Sequence, residues 1–132
     1  MEFSDVIKNR YSCKKFSSEQ IGKDKLDAIL EAGRVAPTAK NLQEQHIYVV
    51  QSESALETID KLTPCRYNGP TVLIVAYNKN NVFTYLGDKR NSGIEDATIV
   101  ATHLMLAAYN EGVDSCWINF FNPDELAKAF NL

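Results

Sequence analysis

The sequence predicts a layered α+β fold rather than a doubly wound dinucleotide-binding fold, and three observations lead there. Strand-like segments alternate with helical ones, but at uneven intervals. Two helical segments precede any strong strand. No GxGxxG turn follows a strand and opens a helix.

Taken in order, Ser4 to Asn9 reads as a short helix, because a Ser-Asp start can cap it ahead of Val6 and Ile7. Lys23 to Val35 is a second helix in which Leu26, Ile29, Leu30 and Gly33 form one buried stripe. Pro37 stops it, since proline lacks the amide N–H and disfavours a helical residue before it. Ala36 to Gln45 is polar and irregular and reads as a loop. His46 to Gln51 reads as a strand and Ser54 to Leu62 as a helix. Pro70 to Tyr77 carries the apolar run Val72–Ala76, expected to be a central strand buried on both faces. Ser92 to Glu111 is the longest helix, ended by Gly112. Its middle is apolar nearly all round, so it belongs in a core or an interface. Val113 to Ile118 is expected to be a further short strand. Asn122-Pro123-Asp124-Glu125 then opens a last helix with a cap, a proline at its first position and acids in its first turn.

The 132 residues suit one domain, 1–132, large enough to bury a real core. A net charge of −3 gives no basic footprint for nucleic acid, and no apolar run approaches bilayer length. The charged N-terminus does not resemble an export signal, and three cysteines without CxxC spacing read as reduced thiols, so a cytoplasmic location is expected. The two histidines, His46 and His103, have no neighbouring cysteine or carboxylate pair, so no metal site is expected.

Three stretches carry chemistry. The first, Arg10-Tyr11-Ser12-Cys13-Lys14-Lys15-Phe16, offers a guanidinium, a hydroxyl and an ammonium at alternate positions. In an extended chain these face the same way and suit a phosphate dianion. The same residues also read as a solvated basic cluster. The second runs from Glu31 through Ala36-Pro37-Thr38-Ala39-Lys40-Asn41-Leu42-Gln43, equally readable as an ordinary helix-ending loop. The third runs from Gly93 to Phe121 and includes Glu95-Asp96 and Gly112-Val113-Asp114-Ser115-Cys116-Trp117-Ile118.

In this order and spacing the three stretches resemble the FMN-dependent nitroreductase family. The resemblance implies a layered α/β/α fold with a mixed, mainly antiparallel central sheet and a long buried helix. It implies FMN as cofactor, NADH or NADPH as electron donor, and an electron-poor acceptor such as a nitroaromatic or quinone. It also implies a homodimer with each flavin site shared between subunits. Carried over by position, Arg10, Tyr11, Ser12 and Lys14 would serve the phosphate end. Pro37, Thr38 and Ala39 would line the ring from the partner subunit, Asn41 and its backbone would satisfy the ring's polar edge, Gln43 would belong to the same cofactor site, and Asn119 and Phe120 would lie near the reactive nitrogen. No side chain is assigned acid–base work, because the cofactor carries the chemistry. The alternative is a catalytically inactive FMN-binding or dimerisation module. Two departures stand out: Gln43-Glu44-Gln45 replaces the family's Gln-Pro-Trp, and relatives continue past Asn131-Leu132 with a strand and a basic residue, so an abbreviated member is expected. Phe120 and Phe121 also read as core packing. Trp117 and Cys116 are assigned to the core, His103 to a satisfied buried position, and Lys89-Arg90 to a solvated pair.

Overall fold

The computed structural model describes residues 1–87 and 89–132. Their order is α1 (Phe3–Asn9), α2 (Lys23–Arg34), a 3-10 turn (Ala39–Asn41), β1 (Gln45–Val50), α3 (Glu53–Leu62), β2 (Val72–Tyr77), α4 (Gly93–Asn110) and α5 (Pro123–Phe130). The strands pair antiparallel, with Ile47 opposite Val75 and Val50 opposite Val72.

This ribbon is the middle of a three-layer sandwich. Side chains on a strand alternate between faces. Ile47, Leu73 and Val75 pack on the cluster of Ile29 and Ala36 with Val100, Leu104 and Ala108 of α4. Val50, Val72 and Ile74 pack on the other side with Ile59 of α3 and Leu126 and Phe130 of α5. The unbroken apolar run of β2 is thus explained: both of its faces meet helices. Its burial is less complete than expected, with only Ile74 fully buried.

Fully burying an aliphatic side chain contributes roughly 1.5–3 kcal/mol, whereas an exposed ion pair contributes about 0–1 kcal/mol. The Lys23–Asp27 and Glu31–Arg34 pairs on α2 are exposed. Contacts such as Ile29 against Val100 and Leu104 therefore hold α2 to α4.

The helix ends follow local chemistry. The Asn122 side chain accepts the amides of Asp124 and Glu125, with Pro123 at the first helical position. Gly112, at φ 74°, ends α4 by donating its amide to Tyr109 while Val113 donates to Ala108, a pairing that needs a left-handed residue.

Three expectations need correction. Val113 to Ile118 is not a strand; it makes one parallel bridge, Ser12 with Ser115. Cys116, expected in the core, is only partly buried. Trp117 is exposed rather than in the core, and its indole N–H is satisfied locally by Asn119 Oδ1 at 2.9 Å. Among the described residues no helix is long and apolar enough to cross a membrane.

Candidate functional site

The first stretch begins where α1 ends. Arg10 caps that helix, donating its amide to Val6 O, and its backbone turns extended (φ −60°, ψ 147°). The chain then runs alongside the third stretch: Ser12 bridges Ser115, and Cys13 N–H donates to Ser115 O at 2.9 Å. Cys13 is buried between exposed Ser12 and Lys14. Arg10 is half-buried, and its Nε is a buried donor with no hydrogen-bond partner. An unpaired buried donor costs about 1–3 kcal/mol, so the Nε of Arg10 is a group that an external acceptor would satisfy.

Tyr11 points elsewhere. Its hydroxyl donates to Asp114 Oδ2 at 3.1 Å, and that bond with the Asp114 charge holds the phenol above its usual pKa. Burial pushes the Cys116 thiol up, against a smaller opposing effect of the Lys14 ammonium. Asn119 and Phe120 follow the bridged residue in irregular chain, and Phe120 is 72% exposed, so it is not core packing.

The second stretch is a tight, strained loop. Asn41 N–H donates to Thr38 O at 2.9 Å, and Gln43 N–H donates to the Thr38 hydroxyl at 3.0 Å. Lys40, Asn41 and Gln43 all have φ between 54° and 58°. Asparagine tolerates that region through local hydrogen bonding; lysine and glutamine do so at an energetic cost. The loop is held from outside by Asp96, which is buried in the first turn of α4. Asp96 Oδ1 accepts the Ala39 amide at 2.9 Å, and Oδ2 accepts the Ser92 hydroxyl at 2.6 Å. With the amides of Ala39, Asn41 and Gln43 all paired inside the chain, the loop offers side chains and shape more than main-chain donors.

The structure thus joins the first stretch to the third through Ser12–Ser115, and the second to the third through Ala39–Asp96. Sequence reasoning did not assign Asp96 this role. Ser92-x-x-Glu95 reads locally as a capping box, yet the Ser92 side chain caps no amide and is turned to Asp96 instead. Gln45 was also missed: its Nε2 is buried without a partner at the start of β1, just past the loop. Nothing local distinguishes it from a surface glutamine. His103 sits as expected, half-buried, with Nδ1 3.1 Å from Ala32 O. Lys89 and Arg90 are both exposed, as expected of a solvated pair, and Arg90 lies over the Tyr85 ring at 5.6 Å. All three cysteines are free, and among the described residues no cluster could hold a metal ion.

Comparison with known proteins covers nearly the whole chain. The Nitroreductase family model matches residues 7–66 and 64–132. A protein of Bacillus subtilis (strain 168), provisionally named NAD(P)H nitroreductase YodC, is 28% identical over 97% of this chain and 81% of its own length. A nitroreductase family protein from Clostridium difficile 630 superposes with a TM-score of 0.96 at 33% identity, covering all of this chain and 76% of that one. A structure from C. difficile R20291, described as an FMN-dependent nitroreductase, superposes at 0.83 with 25% identity, over 97% of this chain and 78% of that one.

Proposed function

From the premise that this chain is an oxidoreductase belonging to the nitroreductase family, we propose that it binds FMN and passes electrons from NADH or NADPH to an electron-poor acceptor such as a nitroaromatic or quinone. The observation that carries the proposal is the buried, unpaired Nε of Arg10 at the head of an extended segment that also presents Ser12 and Lys14. That donor set fits a phosphate: a guanidinium, a hydroxyl and an ammonium supply charge-assisted hydrogen bonds to a dianion.

Bound FMN would supply hydride acceptance and electron release, chemistry that no side chain here performs. The chain's own residues bind and orient. Arg10, Ser12 and Lys14 hold the phosphate end, with Tyr11 tied to Asp114 and steadying the segment. Pro37, Thr38, Ala39, Asn41 and Gln43 shape a wall for the ring, and Asp96 keeps Ala39 in place. Asn119 and Phe120 stand at the reactive edge, where backbone amides act as donors and the exposed Phe120 ring helps exclude water.

The site is proposed to be shared in a homodimer, with the loop serving the partner's flavin. Val35, Leu42, Ile94 and Ile99 are large apolar side chains left exposed on and beside the loop and along α4, as an unpaired interface would leave them.

The test is direct. The purified protein should be yellow, release FMN on heating, and bleach anaerobically with NADH or NADPH. Release of FAD, or no flavin affinity in folded protein, would overturn the proposal. Colour without bleaching would favour an inactive FMN-binding module.

A further inference from the structure

Ser12, at the middle of the basic segment, does not stand alone. The fold lays a second serine beside it from the far end of the chain: Ser12 and Ser115 form a parallel bridge, fastened by the Cys13 N–H donating to Ser115 O at 2.9 Å. Bridged residues sit side by side, with backbones about 5 Å apart and side chains on the same side of the pairing. The preceding residue of each segment is joined as well, the Tyr11 hydroxyl donating to Asp114 Oδ2 at 3.1 Å. These bonds come from the main chain and from Tyr11 with Asp114, so neither serine hydroxyl is engaged in making the junction. Ser12 is exposed and Ser115 half-buried, which leaves both open to a ligand.

We propose that Ser115 is a phosphate-binding residue, its hydroxyl donating to the same FMN phosphate that Arg10, Ser12 and Lys14 hold. The inference rests on the FMN reading above and adds to that site a donor from the third stretch. The spacing favours a phosphate placed over Ser12. Along an extended chain, residues two apart are separated by roughly 6.6 Å, so Arg10 and Lys14 meet one anion by leaning their long side chains toward the residue between them. A serine lacks that reach and binds only what lies close above it. Ser115, about 5 Å to the side, is nearer to that point than the main chain of Arg10 or Lys14. An O–H···O⁻ bond spans about 2.5–2.7 Å, so two hydroxyls at this spacing can donate to different oxygens of one phosphate. The neighbouring carboxylate, Asp114, is already engaged by the Tyr11 hydroxyl.

A purely structural role is separable from this one. Ser115 makes its junction bond through its carbonyl, which any substitution at that position retains.

The test uses the full chain, stripped of flavin and titrated with FMN and with riboflavin, which lacks the phosphate. Ser115→Ala should weaken FMN on the order of tenfold, the worth of a hydrogen bond to a charged group, and leave riboflavin within about twofold. Ser115→Thr, which keeps a hydroxyl, should recover most of the FMN affinity. Ser115→Asp should remove the preference for FMN over riboflavin, because its carboxylate repels the phosphate. Equal weakening of both ligands by Ser115→Ala would show support of the segment rather than contact with phosphate, and would overturn the role. So would unchanged FMN affinity in Ser115→Ala while Arg10→Ala loses FMN selectively, a result that leaves the FMN reading standing. If neither Arg10→Ala nor Ser115→Ala distinguishes the two ligands, the phosphate site itself is misplaced and the inference falls with it. Should Ser115→Ala fail to fold, the Thr and Asp variants decide by the same ratio: equal preference for FMN in both overturns the proposal.

Discussion

The Asp96 carboxylate accepts the Ala39 amide at 2.9 Å, and through that bond the buried start of α4 holds the loop after α2 at a point five residues beyond that helix. The loop needs such a hold, because Lys40 and Gln43 sit in left-handed backbone without the local compensation that asparagine brings.

Asp96→Ala should therefore destabilise the fold by about 3 kcal/mol or more, since two hydrogen bonds to a charged acceptor are lost and the Ser92 hydroxyl stays buried. Asp96→Asn should cost much less, because its amide oxygen can still accept from Ala39 and its nitrogen can donate to Ser92. Urea unfolding measures both. Equal losses for the two variants would show that the loop is held by something else.

Arg10→Ala should weaken FMN binding by about 1.5–3 kcal/mol, the worth of one charge-assisted contact, and leave riboflavin binding nearly unchanged. Removing the guanidinium also removes an unpaired buried donor, so the unliganded protein should lose little stability. Fluorescence titration with the two ligands separates these effects. Parallel losses for both would locate the phosphate away from Arg10.

Gly93 opens α4 against the Tyr77 ring, where an added Cβ would lie 2.1–2.5 Å from three ring atoms. Gly93→Ala should destabilise by about 1–3 kcal/mol despite alanine's helix preference of at most about 1 kcal/mol. In a Tyr77→Ser background the same change should be nearly neutral. A double-mutant cycle with no coupling would show that the ring moves aside freely.

Arg66 holds Asp60 below the ordinary carboxylate range, chiefly through direct hydrogen bonds at 2.7 Å. A depressed carboxylate contributes stability that is complete above its unfolded pKa, about 3.9, and disappears as pH falls through the folded value. The Asp60 side chain is 47% exposed, so solvent screening limits the contribution to about 1 kcal/mol. Wild type should exceed Asp60→Asn by that amount at neutral pH, and the gap should close in strong acid. A gap that widens on acidification would contradict the assignment.

A shared flavin site makes a stoichiometric prediction. Chains carrying Arg10→Glu, and chains carrying Pro37→Trp with Asn41→Trp, should each fail to bind FMN alone. In an isolated mixed dimer one site receives every lesion and the other none, so up to one flavin per two chains should return. Mixed dimers without flavin, formed from folded parents, would refute sharing.

What the sequence determined by itself lies within a few residues of chain. The stripe Leu26–Ile29–Gly33, the Asn122-Pro123 cap and the Gly112 stop are local patterns, and each element formed near its expected bounds. The apolar run of β2 likewise implied two covered faces, and α2 with α4 and α3 with α5 supply them. Tertiary structure decided what depended on partners distant in sequence. Val113 to Ile118 had strand-like composition, but only Ser115 found a bridge, so the rest stayed irregular and Trp117 satisfied its N–H beside the chain. Asp96 was legible only as a member of the third stretch, and its role appeared when the fold delivered the Ala39 amide to it. The unpaired nitrogen of Arg10 was equally invisible. Periodicity and capping act over one or two turns of chain, whereas hydrogen-bond satisfaction of a buried group depends on whatever the folded chain brings beside it.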